Sequence, residues 1–158
     1  MDITYIVGQR KFNYRVAGIF LSNGKLLTMH NERLPYYALP GGRVQLGKTA
    51  EQAIRREIQE ELQLTPAILR PLWLDQSFFT EDVDGMQYHE LCLYFLMDSS
   101  SSDLAAKGDH FTLQEGDRTH RFEWLPIELL PDTYFYPEFL KTELFHLPNH
   151  LELRTEYE

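Results

Sequence analysis

Short apolar runs separated by turn residues fill most of the chain, and one stretch changes to helical spacing. Arg15 to Leu21 is apolar and partly β-branched, which predicts a strand. Ser22-Asn23-Gly24 is a turn signal, because Asn-Gly accepts positive φ, and Lys25 to His30 predicts the returning strand of a β-hairpin. Leu39-Pro40-Gly41-Gly42 interrupts regular structure and allows close backbone approach. Thr49 to Leu62 then predicts a helix, with Ala50, Ala53, Ile54, Ile58 and Leu62 as its buried stripe. Further strands are expected over Leu69 to Phe79, Tyr88 to Met97 and Arg121 to Leu125, with a polar loop from Thr80 to Gln87. Short helices are expected from Pro126 to Leu130 and from Pro137 to Phe145. The serine run from Ser99 to Ser102 reads as a loop, and the polar stretch Leu151 to Glu158 as a frayed tail. Strands mixed with helices predict an α/β fold with a mixed sheet covered by helices.

With no internal repeat and no shift of composition, residues 1–158 are expected to form a single domain. The formal net charge of −9 argues against broad nucleic-acid binding, which needs a basic surface. It leaves room for a small phosphorylated ligand held by a cation and a few local Arg or Lys residues. The single cysteine, Cys92, excludes an intrachain disulfide and a Cys-based zinc site. It lies in the apolar run Leu91 to Phe95 and is expected in the core rather than as a nucleophile. The start Met1-Asp2-Ile3-Thr4-Tyr5 has no signal-peptide character, and no apolar run reaches membrane-spanning length. A cytoplasmic protein without membrane contact is the expectation.

Thr49 and Gln52 form a Thr-x-x-Gln capping box, and Glu51 suits the first turn of the helix. Off the buried stripe stand Glu57, Glu60 and Glu61, at i, i+3 and i+4. They span an arc of about 100° on one side of the helix. Like charges this close repel, and a hard divalent cation such as Mg²⁺ relieves the repulsion through oxygen ligands. Arg56 can pair with Glu60 or hold Glu57. An exposed helix laced with Arg–Glu pairs would show the same charges, so the preceding loop decides the weight. Gly41, Gly42 and Gly47 lie just ahead of the glutamates, where glycine exposes backbone groups to a ligand.

Taken together, Gly42 to Leu64 resembles the Nudix box: Gly, five residues, Glu, seven residues, Arg-Glu, an aliphatic, any residue, Glu-Glu, any residue, Gly and an aliphatic. Gly42, Arg56, Glu57, Ile58, Glu60, Glu61 and Leu64 match, and Leu39-Pro40-Gly41 is similar to the usual lead-in. Lys48 stands in place of the first Glu, Gln63 in place of Gly, and Gln45 in place of a frequent acid. The aromatic-acid segment Phe122-Glu123-Trp124-Leu125-Pro126 is also of a kind common in these proteins.

The resemblance implies a MutT-like Nudix hydrolase: an α/β/α sandwich with a mixed β-sheet and a loop–helix–loop box. It implies Mg²⁺, with Mn²⁺ as the other suitable cation, held by Glu57, Glu60, Glu61 and the carbonyl of Gly41. The reaction would be attack of water on phosphorus in a nucleoside diphosphate linked to another group. Arg56 would orient Glu57. Glu57, Glu90 and Glu115 are all candidates for the general base. Arg15, Arg43 and Lys48 are candidate phosphate contacts, and Tyr36, Tyr37, Phe78, Phe79 and Tyr88 candidate stacking partners for a base. Oxidised nucleoside triphosphates, ADP-ribose, nucleotide sugars, dinucleoside polyphosphates and capped RNA all remain open as substrates. Family members often dimerise, so a homodimer is a further expectation. Two other readings compete. One is a regulatory domain that binds a nucleotide without turnover, motivated by Lys48 and Gln63. The other is an isoprenoid diphosphate isomerase, which Cys92 does not suit by its position.

Overall fold

The computed structural model describes residues 1–158. Ten strands run in order: β1 (Thr4–Val7), β2 (Arg10–Ile19), β3 (Leu21–Ser22), β4 (Lys25–His30), β5 (Gly41–Arg43), β6 (Ile68–Thr80), β7 (Gln87–Met97), β8 (His110–Glu115), β9 (Arg118–Pro126) and β10 (Glu152–Tyr157). Three α-helices join them, α1 (Ala50–Leu62), α2 (Ser102–Ala106) and α3 (Leu140–Glu143), with a 3₁₀ segment at Ile127–Asp132.

The strands make two sheets. The larger runs β1-β2-β7-β6-β10, with β5 also paired to β2. It is mixed: β2 lies parallel to β7 and β10 parallel to β6, while the other pairs are antiparallel. The smaller runs β3-β4-β9-β8. One apolar cluster joins Val16, Phe95 and Met97 of the large sheet to Ala53, Ile54, Ile58 and Leu62 of α1. A second joins Ala17, Trp73 and Tyr94 to Leu130, Phe139, Leu140 and Leu144 of the C-terminal helical segments. The successive side chains of a strand point to opposite faces, so Val16 and Ala17 serve different layers. An α/β/α sandwich with a mixed sheet results, as expected.

Register places a polar row beside this core. Arg15 stands opposite Cys92, which stands opposite Asp75, and Asn13 opposite Glu90, which stands opposite Ser77. Directly paired residues share a face, and so do residues two apart. The long strand β7 therefore presents Tyr88, Glu90, Cys92 and Tyr94 to one side.

Several expectations need correction. The strand from Lys25 to His30 forms, but its long partner is β9, and it touches only the two-residue β3 across the Asn23-Gly24 turn. The chain thus changes sheet after Ile19. Leu151 to Glu158 is no frayed tail: Glu152 to Tyr157 adds a parallel edge strand to β6, and Phe78 stacks on Tyr157 at 5.1 Å. The predicted helix over Pro137 to Phe145 shortens to Leu140–Glu143. Strands β1, β5 and β8 and helix α2, capped by Ser101, lie outside the predicted elements, and β5 takes Gly41 and Gly42 from a segment expected to interrupt regular structure.

Asp75 lies 1% exposed among these layers, and its Oδ1 has no hydrogen-bond partner. Burial, with help from Glu156, pushes its carboxyl up to about 6. The folded state therefore holds this proton more tightly than the unfolded chain. Stability should fall as pH rises from the ordinary carboxylate range to about 6, and stay lowered above it. Asp75→Asn removes the penalty and can keep the Ser77 hydroxyl bonded. It is expected to stabilise the protein at pH 7.5 by roughly 2–3 kcal/mol. Denaturant unfolding at pH 4.5 and 7.5 checks this, with the larger gain at the higher pH.

Candidate active site

Helix α1 begins as its sequence predicts. Thr49 Oγ1 accepts the Gln52 N–H at 3.1 Å, and Gln52 Oε1 accepts the Thr49 N–H at 3.0 Å. That capping box fixes the start of the helix, and Gln63 closes it in a left-handed conformation at φ 60°. The glutamates are thereby set against β5, which pairs with β2.

Each box carboxylate has its own environment. Glu57 Oε1 accepts from Arg56 Nη2 at 2.7 Å, and the same Nη2 donates to the Arg43 carbonyl at 2.8 Å. The other contact of Arg56 reaches Glu60 at 3.7 Å, and Glu60 is the most exposed of the three. Glu61 departs from expectation. It is 5% exposed, and its Oε1 accepts the Gly41 N–H at 2.8 Å. The side of α1 that carries it is covered, because Gly41 enters directly above it. Burial holds the Glu61 carboxyl well above the usual range, repulsion from Glu57 adds to this, and the Gly41 N–H and Arg15 oppose it. Burial also raises Glu57, against the pull of Arg56.

These groups open on a cavity of about 540 Å³. Gly41, Gly42, Glu57, Glu60 and Glu61 line it together with Arg15, Arg43, Asn13 and Glu90. Arg15 remains a cation there: burial works against its charge, but Glu90 and other nearby groups outweigh that effect. Arg43 also meets Asp2 at 3.7 Å. Glu90 is 5% exposed, and its Oε2 lies 3.5 Å from Asn13 Nδ2. Burial raises its carboxyl, opposed by Arg15 and Asn13. Cys92 reaches the lining but is buried, and burial pushes its thiol up, with Glu90 reinforcing the effect. A thiol so held is a poor nucleophile.

Of the candidate aromatics, Tyr36, Phe79 and Tyr88 line the cavity. Phe79 stacks on Tyr88 at 5.2 Å, and Tyr36 donates to Glu81 at 3.3 Å. Tyr37 instead packs on His30 and donates to Glu123, and Phe78 packs on Tyr157. Lys48 is exposed in the turn before α1 and does not line the cavity. That turn, closed by the Lys48 N–H to Gln45 carbonyl bond, keeps it outside.

Glu115 does line the cavity, and it brings a partner that sequence reasoning missed. Ligand-type atoms of Glu61, Glu115 and His120 lie within 4.8 Å of one another. The signal for His120 was alternation along β9, which turns His120 and Phe122 inward and Arg121 outward. Asn13, Asn31 and Tyr136 also reach the lining without having been singled out.

The donor set fits a hard divalent cation. Three carboxylates, Glu57, Glu60 and Glu61, line the same cavity, two of them partly desolvated and raised, and oxygen ligands of this kind suit Mg²⁺ or Mn²⁺.

The family model of the NUDIX domain matches residues 12–142. An ADP-ribose pyrophosphatase of Methanocaldococcus jannaschii is 31% identical over 123 residues, which cover 76% of this chain and 65% of that protein. The chain thus spans less than two thirds of that relative's length. Among solved structures, a MutT NUDIX hydrolase from Burkholderia pseudomallei aligns with a TM-score of 0.58 at 22% identity, covering 84% of this chain and 96% of that one. An ADP-ribose pyrophosphatase from Streptococcus suis aligns with a TM-score of 0.57 at 13% identity, covering 90% and 98%. These structures share the fold. No helix is long and apolar enough to cross a membrane.

Proposed function

The chain belongs to the NUDIX domain family, and on that premise we propose that it hydrolyses the diphosphate linkage of a nucleoside diphosphate joined to a second group, with a divalent cation. The observation that carries this reading is the convergence of Glu57, Glu60 and Glu61 with Arg15 and Arg43 around one cavity. Its volume of about 540 Å³ lies within the usual range for small-molecule sites.

Glu57, Glu60, Glu61 and the Gly41 carbonyl would hold Mg²⁺ or Mn²⁺. Bound there, the cation neutralises diphosphate charge and acidifies a coordinated water. Arg56 holds Glu57 by a charge-assisted hydrogen bond and anchors it to the β5 backbone. Arg15 and Arg43, paired across β2 and β5, bind and orient the phosphates. Tyr36 and the Phe79–Tyr88 stack offer ring faces to a nucleobase. Among the three candidate bases, Glu115 is best placed. Glu57 is engaged by Arg56, and Glu90 is nearly sealed and tied to Asn13. Glu115 keeps one oxygen, Oε2, for the incoming water, whose proton it takes. The water oxygen then bonds to phosphorus, and the bridging oxygen leaves with the electron pair of the broken anhydride bond.

The regulatory alternative loses its motive in this geometry. Lys48 lies outside the cavity, and Gln63 sits at the helix end, where its amide reaches the Gln114 carbonyl at 3.3 Å. Cytoplasmic location, a homodimer and the absence of nucleic-acid binding stay as proposals from the sequence.

ADP-ribose is the first substrate to try, from the name of the archaeal relative. With Mg²⁺ it should yield AMP and ribose 5-phosphate, separated by anion exchange. Intact ADP-ribose beside active cleavage of a nucleoside triphosphate or dinucleoside polyphosphate would move the assignment to that class. Arg15→Lys is expected to raise KM about tenfold with a smaller change in kcat, because an ammonium cannot reproduce bidentate phosphate contact. Steady-state kinetics on the same substrate checks it, and an unchanged KM would remove Arg15 from phosphate binding.

A further inference from the structure

His120 lies 0% exposed on β9, and the mechanism above gives it no part. Its Nε2 is 2.7 Å from Glu115 Oε1, and its Nδ1 is 3.4 Å from Asn31 Nδ2. The orientation of the Asn31 amide is fixed from its other end, where Oδ1 accepts the Arg33 N–H at 2.9 Å. Asn31 therefore presents N–H to the ring. Nδ1 must accept, the ring proton sits on Nε2, and Nε2 donates to Glu115. A cation on Nε2 would need that proton gone and the Asn31 contact reversed against its backbone anchor. Although the cluster with Glu61 has the spacing of a metal site, its hydrogen bonds make His120 a donor to Glu115 instead.

Glu115 needs such a donor. It ends β8 at the tip of a tight hairpin, where Gly116 takes φ +60° and Arg118 begins β9. Its side chain is about a third exposed, at 32%. A carboxylate on a hairpin tip is otherwise free to swing into water, and immobilising it carries an entropic cost. A buried, pre-oriented imidazole spends that cost in the fold rather than in the transition state.

We propose that Asn31 and His120 form a brace that fixes the Glu115 carboxylate beside Glu61 in the cavity, making His120 a positioning residue for the hydrolysis. The brace rests on the hydrolase reading and on Glu115 as the acceptor of the water proton. It uses one Glu115 oxygen, Oε1, and leaves the other for the proton. His120 touches neither substrate nor reacting atoms.

The test compares wild type, His120→Leu and His120→Gln on the substrate that wild type cleaves. His120→Leu should lower kcat at least about tenfold with KM within about twofold, as expected for a contact that matters in the transition state. His120→Gln should recover most of the rate, since a Gln amide N–H can donate to Glu115 at nearly the same place. A purely structural role would move thermal stability in both variants without that split or rescue. Imidazole ¹⁵N–¹H NMR of the wild-type protein supplies a readout that does not depend on turnover or on folding of a variant. The proton is expected on Nε2 and should stay there when Mg²⁺ is added. A proton on Nδ1, or loss of the Nε2 proton with Mg²⁺, would make His120 a metal ligand and overturn the brace. So would a folded His120→Leu with wild-type kcat. A wild type silent on every nucleotide diphosphate overturns the hydrolase reading and this role together, whereas an active wild type with an indifferent His120→Leu overturns the role alone.

Discussion

Glu61→Gln should cut metal-dependent turnover about a hundredfold or more while leaving the apo protein at least as stable as wild type. The loss of rate follows from removing a charged group of the proposed cation site, since even the outer partners of metal ligands are worth about 10–100-fold. The stability gain follows from burial. The folded-state Glu61 carboxyl is held well above the usual range, so its ionisation near neutral pH works against folding. Gln removes the charge and keeps an oxygen for the Gly41 N–H. Wild type should gain thermal stability from added Mg²⁺, by linkage of binding to folding, and Glu61→Gln should gain much less. Turnover and thermal melts, each with Mg²⁺ and with EDTA, check both directions. Parallel loss of rate and stability would mean that Glu61 serves the fold.

Gly42→Ala should lower turnover about tenfold to a hundredfold with little loss of fold, whereas Gly41→Ala should first of all cost stability. A Cβ on Gly42 would lie 2.3–2.6 Å from the carboxylate atoms of Glu57. Glu57 is the end of a side chain and can move, but moving breaks its 2.7 Å bond to Arg56 and takes it out of the cluster. A Cβ on Gly41 would lie 2.2 Å from the Val16 carbonyl oxygen and 2.8 Å from the Ala17 Cα. Those are backbone atoms of β2, held between neighbouring strands, so the cost falls on stability, by about 3 kcal/mol or more. Denaturant melts and kcat on the two variants separate the effects. Wild-type turnover in a folded Gly42→Ala protein would show that the position of Glu57 does not matter to the reaction.

Much of this was legible in the residues. Thr49 and Gln52 predicted the helix start, and the i, i+3, i+4 spacing of Glu57, Glu60 and Glu61 predicted a shared side. Arg15 and Arg43 reach the cavity as their position beside the box loop implied. What stayed hidden depends on pairing between distant segments. Glu61 is buried because Gly41 closes over it, a contact across 20 residues. The Asn31–His120 contact spans 89 residues, and no local pattern announces it. The change of sheet after Ile19 was hidden because Asn23-Gly24 predicts a hairpin without saying which strand its second arm will extend along. The C-terminal strand was missed because its apolar residues are few and its partner β6 is far away in sequence. Lys48 was misleading for a related reason: nearness along the chain to the glutamates did not mean facing the cavity.

The most direct test is hydrolysis in H₂¹⁸O over nucleoside di- and triphosphates, ADP-ribose, nucleotide sugars and dinucleoside polyphosphates, with Mg²⁺ or with EDTA and mass analysis of the products. The hydrolase reading requires cleavage of one of these classes with Mg²⁺, a single ¹⁸O in one phosphate product, and no cleavage with EDTA. Intact substrates throughout with Mg²⁺, or equal cleavage in EDTA, would contradict it.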